Sequence, residues 1–345
     1  MKALFLRENL RLSLEETDKP TLQNADDIIL KVTATTICGS DLHMVHGMLY
    51  SLPDFIIGHE FVGVVDEVGT AVQDFKPGDR VVVPSAPFCG QCDKCLQGNY
   101  HLCRKARLFG WRIHPKYHWN GGQAEYVRVP FANTGLLHTP DSVTDEQALF
   151  IGDILSTAYF AVTNANLSPG QSIAIFGAGP VGLCAVACAK LFSPSHIILI
   201  DMEENRLAMG ARLGATHTLK AGPDMLKQLK GIIRQGVDVA LDAAGVPATL
   251  SDSIDVCTKG GFISVAGVGP SEFPVRVGEL FMKNLTVKSG LVNLAEMPRL
   301  LKLVECGHLD LTPILTHEMP LDDIIEAYRI FDKREDGCIK VLLRP

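Results

Sequence analysis

Apolar and polar positions in the first 150 residues fall into short runs that favour β-strands. Runs rich in β-branched residues occur at 28–38, 60–69, 79–86 and 123–129, and clusters of Gly, Pro and Asp separate them. Helical periodicity is weak throughout this region. The pattern predicts a β-rich domain with long loops over residues 1–152.

From residue 153 the pattern changes. Residues 153–167 predict a helix, and after it strands alternate with helices; the predicted strands are 172–177, 196–201, 237–245 and 261–267, and the predicted helices are 181–192 and 203–214. Such alternation is typical of a doubly wound parallel sheet. We therefore expect an α/β domain over 153–288, an exit strand at 285–293 and a last strand at 336–345.

Bulk composition narrows the class of protein. A chain of 345 residues favours two domains, and 47% hydrophobic with 21% charged residues is typical of a globular protein. The net charge of −7, without a long basic tract, argues against nucleic acid as a partner. Arg7 and Glu8 interrupt the first apolar run, so it predicts neither a signal peptide nor a membrane span. We expect a soluble, cytoplasmic protein, in which clustered cysteines are metal ligands more often than disulfides.

A glycine-rich turn lies between an apolar strand and an apolar helix. Gly177, Gly179 and Gly182 have the spacing G-x-G-x-x-G, with Pro180 and Val181 before the last glycine. These glycines allow a tight turn, close approach to a pyrophosphate and close helix–strand packing. Asp201 ends the next strand, nineteen residues beyond Gly182, which is the position of an acid that binds a ribose. The motif predicts dinucleotide binding; the alternative is a loop that serves only as a turn.

Four cysteines lie within fifteen residues, in the spacing C-x2-C-x2-C-x7-C. We call Cys89, Cys92, Cys95 and Cys103 the cysteine cage. Four thiolates complete a tetrahedral zinc shell and leave no position for a substrate. The cage therefore predicts a structural zinc ion that fixes a loop. Surface thiols, disulfides and a nucleic-acid zinc ribbon are the alternatives, and the acidic chain disfavours the last.

A catalytic metal needs three protein ligands and an open position. Outside the cage, Cys38 and the neighbours His59 and Glu60 are candidates. Spacing alone does not decide between ligands and ordinary buried side chains. Glu60 could also be a charge neutralised by a nearby arginine.

Five segments in order, "CGSDLHMVHG", "GHEFVGVVDEVG", "FKPGDRVVV", the cysteine cage and "GAGPVG", resemble the zinc-dependent medium-chain alcohol dehydrogenases over essentially the whole chain. The resemblance implies a GroES-like catalytic domain of residues 1–152, to which 289–345 return, and a Rossmann NAD-binding domain of 153–288. It also implies a catalytic zinc with Cys38 and His59 as ligands and Asp153 as the third. Many relatives have Cys at this last position and polyol enzymes have Glu. Glu60 could orient the zinc ligands or bind the metal transiently.

The resemblance further implies roles in proton transfer and binding. Ser40 corresponds to the hydroxyl beside the alkoxide, and His43 to a relay imidazole with a suitable pKa. The alternatives are a turn hydrogen bond for Ser40 and a surface position for His43. Trp111 and Leu291 are candidates for the wall of the substrate pocket; for Trp111 the alternative is a buried aromatic in the core. Arg206 is the one cation near Asp201; it is included among the cofactor-site candidates, although its spacing favours a helix position over a phosphate clamp.

The expected activity is reversible hydride transfer between an alcohol and NAD⁺ in a zinc-dependent alcohol dehydrogenase. The substrate could be a secondary alcohol, a diol or a primary alcohol. The alternatives are a polyol dehydrogenase, which Asp153 disfavours, and an enzyme like glutathione-independent formaldehyde dehydrogenase. A non-catalytic nucleotide-binding protein and a zinc-free quinone reductase are disfavoured because Cys38, His59 and Asp153 are all present. Relatives form dimers and tetramers, so a homo-oligomer is expected.

Overall fold

The computed structural model describes residues 1–269 and 274–345. The chain divides into two compact units: Met1–Asp153 with Asn293–Pro345, and Ile154–Val292. These limits differ by a few residues from the expected ones, because Asp153 lies in the first unit and the chain re-enters that unit at Asn293. No helix in the described part of the chain is long and apolar enough to cross a membrane.

The first unit is mainly β-structure, with short helices in its loops. Its strands are β1 (Lys2–Leu6), β2 (Leu12–Glu16), β3 (Ile28–Thr36), β4 (Phe55–Ile56), β5 (Phe61–Val68), β6 (Arg80–Val82), β7 (Tyr126–Val129), β8 (Leu137–His138), β15 (Leu315–Pro320) and β16 (Lys340–Arg344). Its helices are α1 (Gly39–Val45), α2 (Asp93–Leu96), α3 (Ala132–Gly135), α4 (Asp145–Ala148), α11 (Met297–Glu305) and α12 (Ile324–Lys333). Short 3-10 turns lie at Glu8–Leu10, Tyr100–Leu102, Leu294–Glu296, Thr312–Ile314, Leu321–Asp323 and Glu335–Gly337.

Two sheets organise this unit. Strands β2, β1 and β4 form an antiparallel sheet, and the larger sheet has the order β15-β16-β3-β5-β6-β8, with β7 also paired to β3. Strand β16, from the C-terminal part of the chain, pairs antiparallel to β3 through Leu342 and Thr36. The strand predicted at 28–38 ends at Thr36, and α1 begins immediately after Cys38. This helix starts there because the Asp41 side chain accepts a hydrogen bond from the Cys38 backbone N–H, which caps the first turn.

The second unit is a parallel sheet with helices between its strands. Its strands are β9 (Ser172–Phe176), β10 (His196–Asp201), β11 (His217–Lys220), β12 (Val237–Asp242), β13 (Cys257–Val265) and β14 (Thr286–Ser289), and its helices are α5 (Ile154–Asn164), α6 (Pro180–Lys190), α7 (Glu204–Leu213), α8 (Met225–Ile232), α9 (Pro247–Val256) and α10 (Val277–Lys283). The strand order is β11-β10-β9-β12-β13-β14. The order reverses at β9, so a crevice for a ligand is expected at the carboxyl ends of β9 and its neighbours.

Candidate metal and cofactor sites

Four potential metal ligands meet in the first unit. Cys38 follows β3, His59 and Glu60 lie between β4 and β5, and Asp153 ends the unit's first segment. One ligand atom from each of these residues lies within 4.8 Å of the others. We call Cys38, His59, Glu60 and Asp153 the mixed-ligand cluster. The fold thus brings together residues that are far apart in sequence. Their spacing alone did not show whether they are metal ligands or ordinary buried side chains.

The ionisable groups of the cluster shift one another's pKa values. Burial and the carboxylate of Glu60 raise the pKa of Cys38. Burial lowers the pKa of His59, but Asp41, Cys38 and Asp153 outweigh this effect and raise it well above the usual value. The imidazole thus takes up a proton as a counter-charge to its acidic neighbours. A metal cation would supply the same compensation.

Lys340 on β16 is a partner of the cluster that the sequence analysis missed. Its ammonium group lies 2.6 Å from Oε2 of Glu60, and it donates a hydrogen bond to the backbone oxygen of Ile37 at 3.1 Å. Burial lowers the pKa of Lys340, but Glu60 and Cys38 outweigh it and raise the pKa, so the lysine is a cation. The partner of Glu60 is therefore a lysine and not an arginine. A buried lysine in a strand of apolar residues was the available sequence signal.

The donor set fits a zinc ion. Thiolate, imidazole and carboxylate are all zinc ligands, with bond lengths of about 2.0 to 2.3 Å. Oε1 of Glu60 is buried and has no hydrogen-bond partner among the described residues. Lys340 pairs with Glu60, and the Asp153 carboxylate and the Cys38 sulfur remain as donors that a divalent cation can use.

Ser40 and His43 lie on α1, beside the cluster. The hydroxyl of Ser40 is 3.4 Å from Nε2 of His59, the same atom that lies 3.4 Å from the Asp153 carboxylate. Ser40 is therefore on the side of the imidazole that faces the other ligands. Burial and the charge of His46 lower the pKa of His43, which keeps its imidazole neutral near pH 7.

The cysteine cage is compact and entirely local. Its sulfur atoms lie 3.5 Å apart for Cys103 and Cys89, 3.6 Å for Cys92 and Cys95, and 4.0 Å for Cys89 and Cys95. A tetrahedral zinc–thiolate shell has sulfur separations of about 3.8 Å. The four sulfur atoms therefore fit a closed zinc shell.

Backbone amides prepare the cage for thiolates. The N–H groups of Cys89 and Lys105 donate to Sγ of Cys103, each at 3.4 Å. Backbone hydrogen bonds from Cys95 and Arg104 lower the pKa of Cys92 to about 6. Thiolates are the species that bind zinc, so these amides favour metal binding.

The glycine-rich turn has the geometry of a dinucleotide site. Gly177 has φ +93°, which favours glycine, and a Cβ on Gly182 would lie 1.8 Å from the Gly177 oxygen. A Cβ on Gly179 would meet nothing nearer than Arg206, at 3.9 Å, so the backbone there is open to a ligand. Helix α6 begins with Pro180, and its first N–H groups face this turn.

Asp201 and Arg206 flank the same turn. Oδ2 of Asp201 accepts a hydrogen bond from the Ala178 N–H at 2.5 Å, and Oδ1 accepts one from the Glu203 N–H at 2.9 Å. Arg206 lies in α7, as its spacing favoured, but its buried guanidinium reaches the open side of Gly179. Its helix position therefore does not keep it away from the glycine-rich turn.

The two proposed pocket residues lie in different units. Trp111 packs against the core of the first unit, and its indole N–H donates to the Tyr50 backbone oxygen at 3.0 Å. Leu291 is in the second unit and is 72% exposed. The contacts of Trp111 hold its ring in place.

Comparison with known proteins gives consistent matches over both units. Residues 24–141 match the alcohol dehydrogenase GroES-like domain, and residues 180–305 match the zinc-binding dehydrogenase family. This chain is 32% identical to an uncharacterised zinc-type alcohol dehydrogenase-like protein of Bacillus subtilis, and the match covers 100% of both chains. An alcohol dehydrogenase of Cupriavidus necator is also 32% identical, with 100% of this chain and 99% of that protein covered.

Among solved structures, the alcohol dehydrogenase TADH from Thermus sp. ATN1 is similar, with a TM-score of 0.92 and 37% identity over 100% of this chain and 99% of that one. The chain belongs to the zinc-dependent medium-chain alcohol dehydrogenase family, whose members are oxidoreductases. The family, the fold class and the enzyme class predicted from the order of the motifs are confirmed.

Proposed function

We propose that this chain catalyses reversible oxidation of an alcohol to a ketone or aldehyde with NAD⁺, at a zinc ion held by Cys38, His59 and Asp153. The convergence of the mixed-ligand cluster within 4.8 Å is the observation that carries the assignment. Zinc lowers the pKa of an alcohol hydroxyl and polarises a carbonyl, and NAD⁺ accepts the hydride. Formation of NADH with a panel of alcohols, diols, polyols and aldehydes tests the activity.

Ser40 and His43 are proposed to move the proton that alcohol oxidation releases. The Ser40 hydroxyl lies beside the zinc-facing nitrogen of His59 and can accept a hydrogen bond from the substrate hydroxyl. His43 is three residues further on α1, on the same side of the helix. Its lowered pKa makes it a proton acceptor at neutral pH. Glu60, paired with Lys340, is proposed to orient the zinc ligands.

Asp201 is proposed to select NAD(H) over NADP(H). Two backbone amides hold its carboxylate at the end of β10, where it can accept hydrogen bonds from the ribose hydroxyls. A 2′-phosphate would place two negative charges against this carboxylate. We expect kcat/KM to favour NAD⁺ by about 100-fold or more, the factor that one mispaired buried charge produces.

The cofactor preference is tested by measuring kcat/KM with both cofactors. Asp201→Ala should lower the ratio of NAD⁺ to NADP⁺ efficiency. Glu204→Ala is the matched control, since its carboxylate is exposed on α7 and pairs with Lys220. Equal use of both cofactors by the wild type, or an unchanged ratio in Asp201→Ala, would show that another residue selects.

The substrate class is proposed to be a small secondary alcohol, diol or primary alcohol, with a polyol as the alternative. Asp153 has a shorter side chain than the Glu of polyol enzymes, which is the observation against the alternative. Trp111 and Leu291 are the proposed wall residues. Trp111→Ala should change the relative kcat/KM values within the alcohol panel, whereas an unchanged order would remove Trp111 from the pocket.

A homo-oligomer is proposed to form through the edge of the parallel sheet. All four residues of the edge strand β14 are exposed, and the adjacent Phe281 and Met282 are 79% and 71% exposed. Unpaired strand edges beside apolar patches favour pairing with another chain. Phe281→Glu should shift the molar mass from light scattering towards the monomer. Leu96→Glu, at an exposed site on the cage loop, is the control; a shift with that variant alone would move the interface there.

A further inference from the structure

A line of buried polar side chains extends from His59 into the interior of the first unit. Nδ1 of His59 lies 3.3 Å from Oδ1 of Asp41, within ion-pair distance, and neither atom has a hydrogen-bond partner among the described residues. Nε2 of Gln123 donates to Oδ2 of Asp41 at 3.2 Å. The hydroxyl of Tyr328 donates to Oε1 of Gln123 at 2.9 Å. The line therefore runs from α12 to a metal ligand through two intervening side chains.

All four side chains are almost completely buried. His59 is 3% exposed, Asp41 and Gln123 are 0% exposed, and Tyr328 is 4% exposed. A buried carboxylate needs hydrogen-bond donors, because an unpaired one loses several kcal/mol of hydration. Asp41 Oδ2 receives two donors, the Cys38 backbone N–H at 2.9 Å and the Gln123 amide. Its other oxygen is left to face His59.

Tyr328 helps to determine which end of the Gln123 amide faces Asp41. The amide has a donor end and an acceptor end, and reversing it would point an oxygen at the carboxylate. Burial raises the pKa of Tyr328 well above its usual value, so the hydroxyl is a neutral donor. That donor occupies Oε1, and the NH₂ group is then directed at Asp41 and at the Thr36 backbone oxygen, 3.1 Å away. The Tyr328 hydroxyl and the Thr36 backbone oxygen thus favour the same orientation of the amide.

The backbone around Gln123 is arranged to hold this side chain. Its N–H donates to the Ile57 oxygen at 3.1 Å, and its oxygen accepts from the Leu4 N–H at 2.9 Å. Gly58 has φ +101°, and a Cβ there would lie 2.5 Å from Cγ of Gln123. The glycine beside His59 thus leaves room for the glutamine that supports Asp41.

We propose that Gln123 and Tyr328 are positioning residues for the catalytic metal, acting through Asp41 on His59. This inference rests on the proposed function. With Asp41 held in one orientation, Nδ1 of His59 carries the proton that it donates to Asp41, and Nε2 is free to bind the metal. Oriented carboxylate partners of this kind increase the metal affinity of a histidine.

The experiment measures zinc affinity by competition with a chelator, so that activity is not the readout. Gln123→Met removes all three side-chain hydrogen bonds of Gln123 while keeping a side chain of similar length, and Tyr328→Phe removes one oxygen atom. We expect the Kd for zinc at the mixed-ligand cluster, the zinc that the chelator removes first, to increase by about 10- to 100-fold in Gln123→Met. The increase should be smaller in Tyr328→Phe. The second zinc, in the cysteine cage, should be unaffected. Tyr159→Phe, a buried tyrosine of the second unit, should change neither.

A double variant separates positioning from a merely structural role. In an Asp41→Asn background, Gln123→Met should have little further effect on zinc Kd, because its path to His59 is already broken. The absorption spectrum of Co²⁺ bound at the catalytic site should change in Tyr328→Phe, since the ligand orientation changes. If Gln123→Met does not fold, Tyr328→Phe alone decides.

Unchanged zinc Kd and Co²⁺ spectrum in folded Tyr328→Phe would overturn the inference, as would full additivity in the double variant. These outcomes differ from failure of the proposed function. A wild-type protein that holds zinc in the cysteine cage alone, or that forms no NADH from any alcohol, would refute that function before the variants are compared.

Discussion

The cysteine cage takes four identical ligands from one fifteen-residue segment, whereas the mixed-ligand cluster takes different ligands from three separate positions in the first unit. Backbone amides satisfy the cage sulfurs, and the cluster depends on side chains such as Lys340 and Asp41. A local set of thiolates gives a closed shell suited to stability. A dispersed set with acidic and basic neighbours gives a site whose charge depends on side chains from several parts of the first unit.

Chelation should separate the two regions most completely. We expect two zinc ions per chain, and a chelator should remove the cluster zinc, with all activity, before the protein unfolds. The cage zinc should leave only on unfolding, because a closed shell contributes folding free energy. Metal analysis alongside circular dichroism measures this order. One zinc per chain in a fully active protein would contradict the two-site assignment.

Asp153→Asn should break the cluster and spare the cage. The neutral amide removes charge from the metal ligands, so turnover should fall by about 100-fold or more and the cluster zinc should be held less tightly. Thermal unfolding should change little. Asp141→Asn, at an exposed position of the same unit, is the control. An unchanged rate with zinc retained would point to Glu60 as the third ligand.

Cys95→Ser should do the reverse. Loss of one thiolate opens the cage, and we expect the free energy of unfolding to fall by several kcal/mol, roughly 10 °C in Tm. The kcat/KM of the folded fraction should stay within about threefold, since no cage residue is placed at the chemistry. Cys306→Ser, an exposed free cysteine, should have wild-type Tm. A stable variant with an altered substrate profile would show that the cage belongs to the active site.

The smallest expected effect is on the pH profile of the cluster region. The proposed relay needs neutral His43, so the rate should fall as the pH drops through the pKa of His43, which burial and His46 lower. His46→Gln should move this acid limb to higher pH, because the nearby positive charge is removed. His46 also pairs with Asp332 at 3.2 Å, so Asp332→Asn is the control for loss of that pair. His43→Gln should abolish the limb, and an unmoved limb in both histidine variants would exclude the relay.

The sequence predicted the cage and the glycine-rich turn in full because each depends on local spacing. Gly177, Gly179, Gly182 and the four cysteines need no distant residue to be recognised. The cluster needed the family resemblance, since Cys38, His59 and Asp153 meet only after β3, β5 and the loop before α5 are packed. Lys340, Gln123 and Tyr328 were missed because their roles depend on tertiary contacts. Tyr328 is 205 positions away from Gln123 in the sequence, and Lys340 is 303 positions away from Ile37. Helix α1 was missed because its 7 residues are too few to show a helical period.

Lys340 also has a consequence for the order in which the molecule folds. The contact between Cys89 and Cys103 closes a loop of 14 residues, whereas that between Lys340 and Ile37 closes one of 303. The difference in closure entropy is roughly 3 kcal/mol, and contacts over long sequence separations form slowly. The cage can therefore assemble on a nascent or partly folded chain. The ion pair between Lys340 and Glu60 forms only when strand β16 joins the sheet, so we expect the mixed-ligand cluster to reach its final form late in folding.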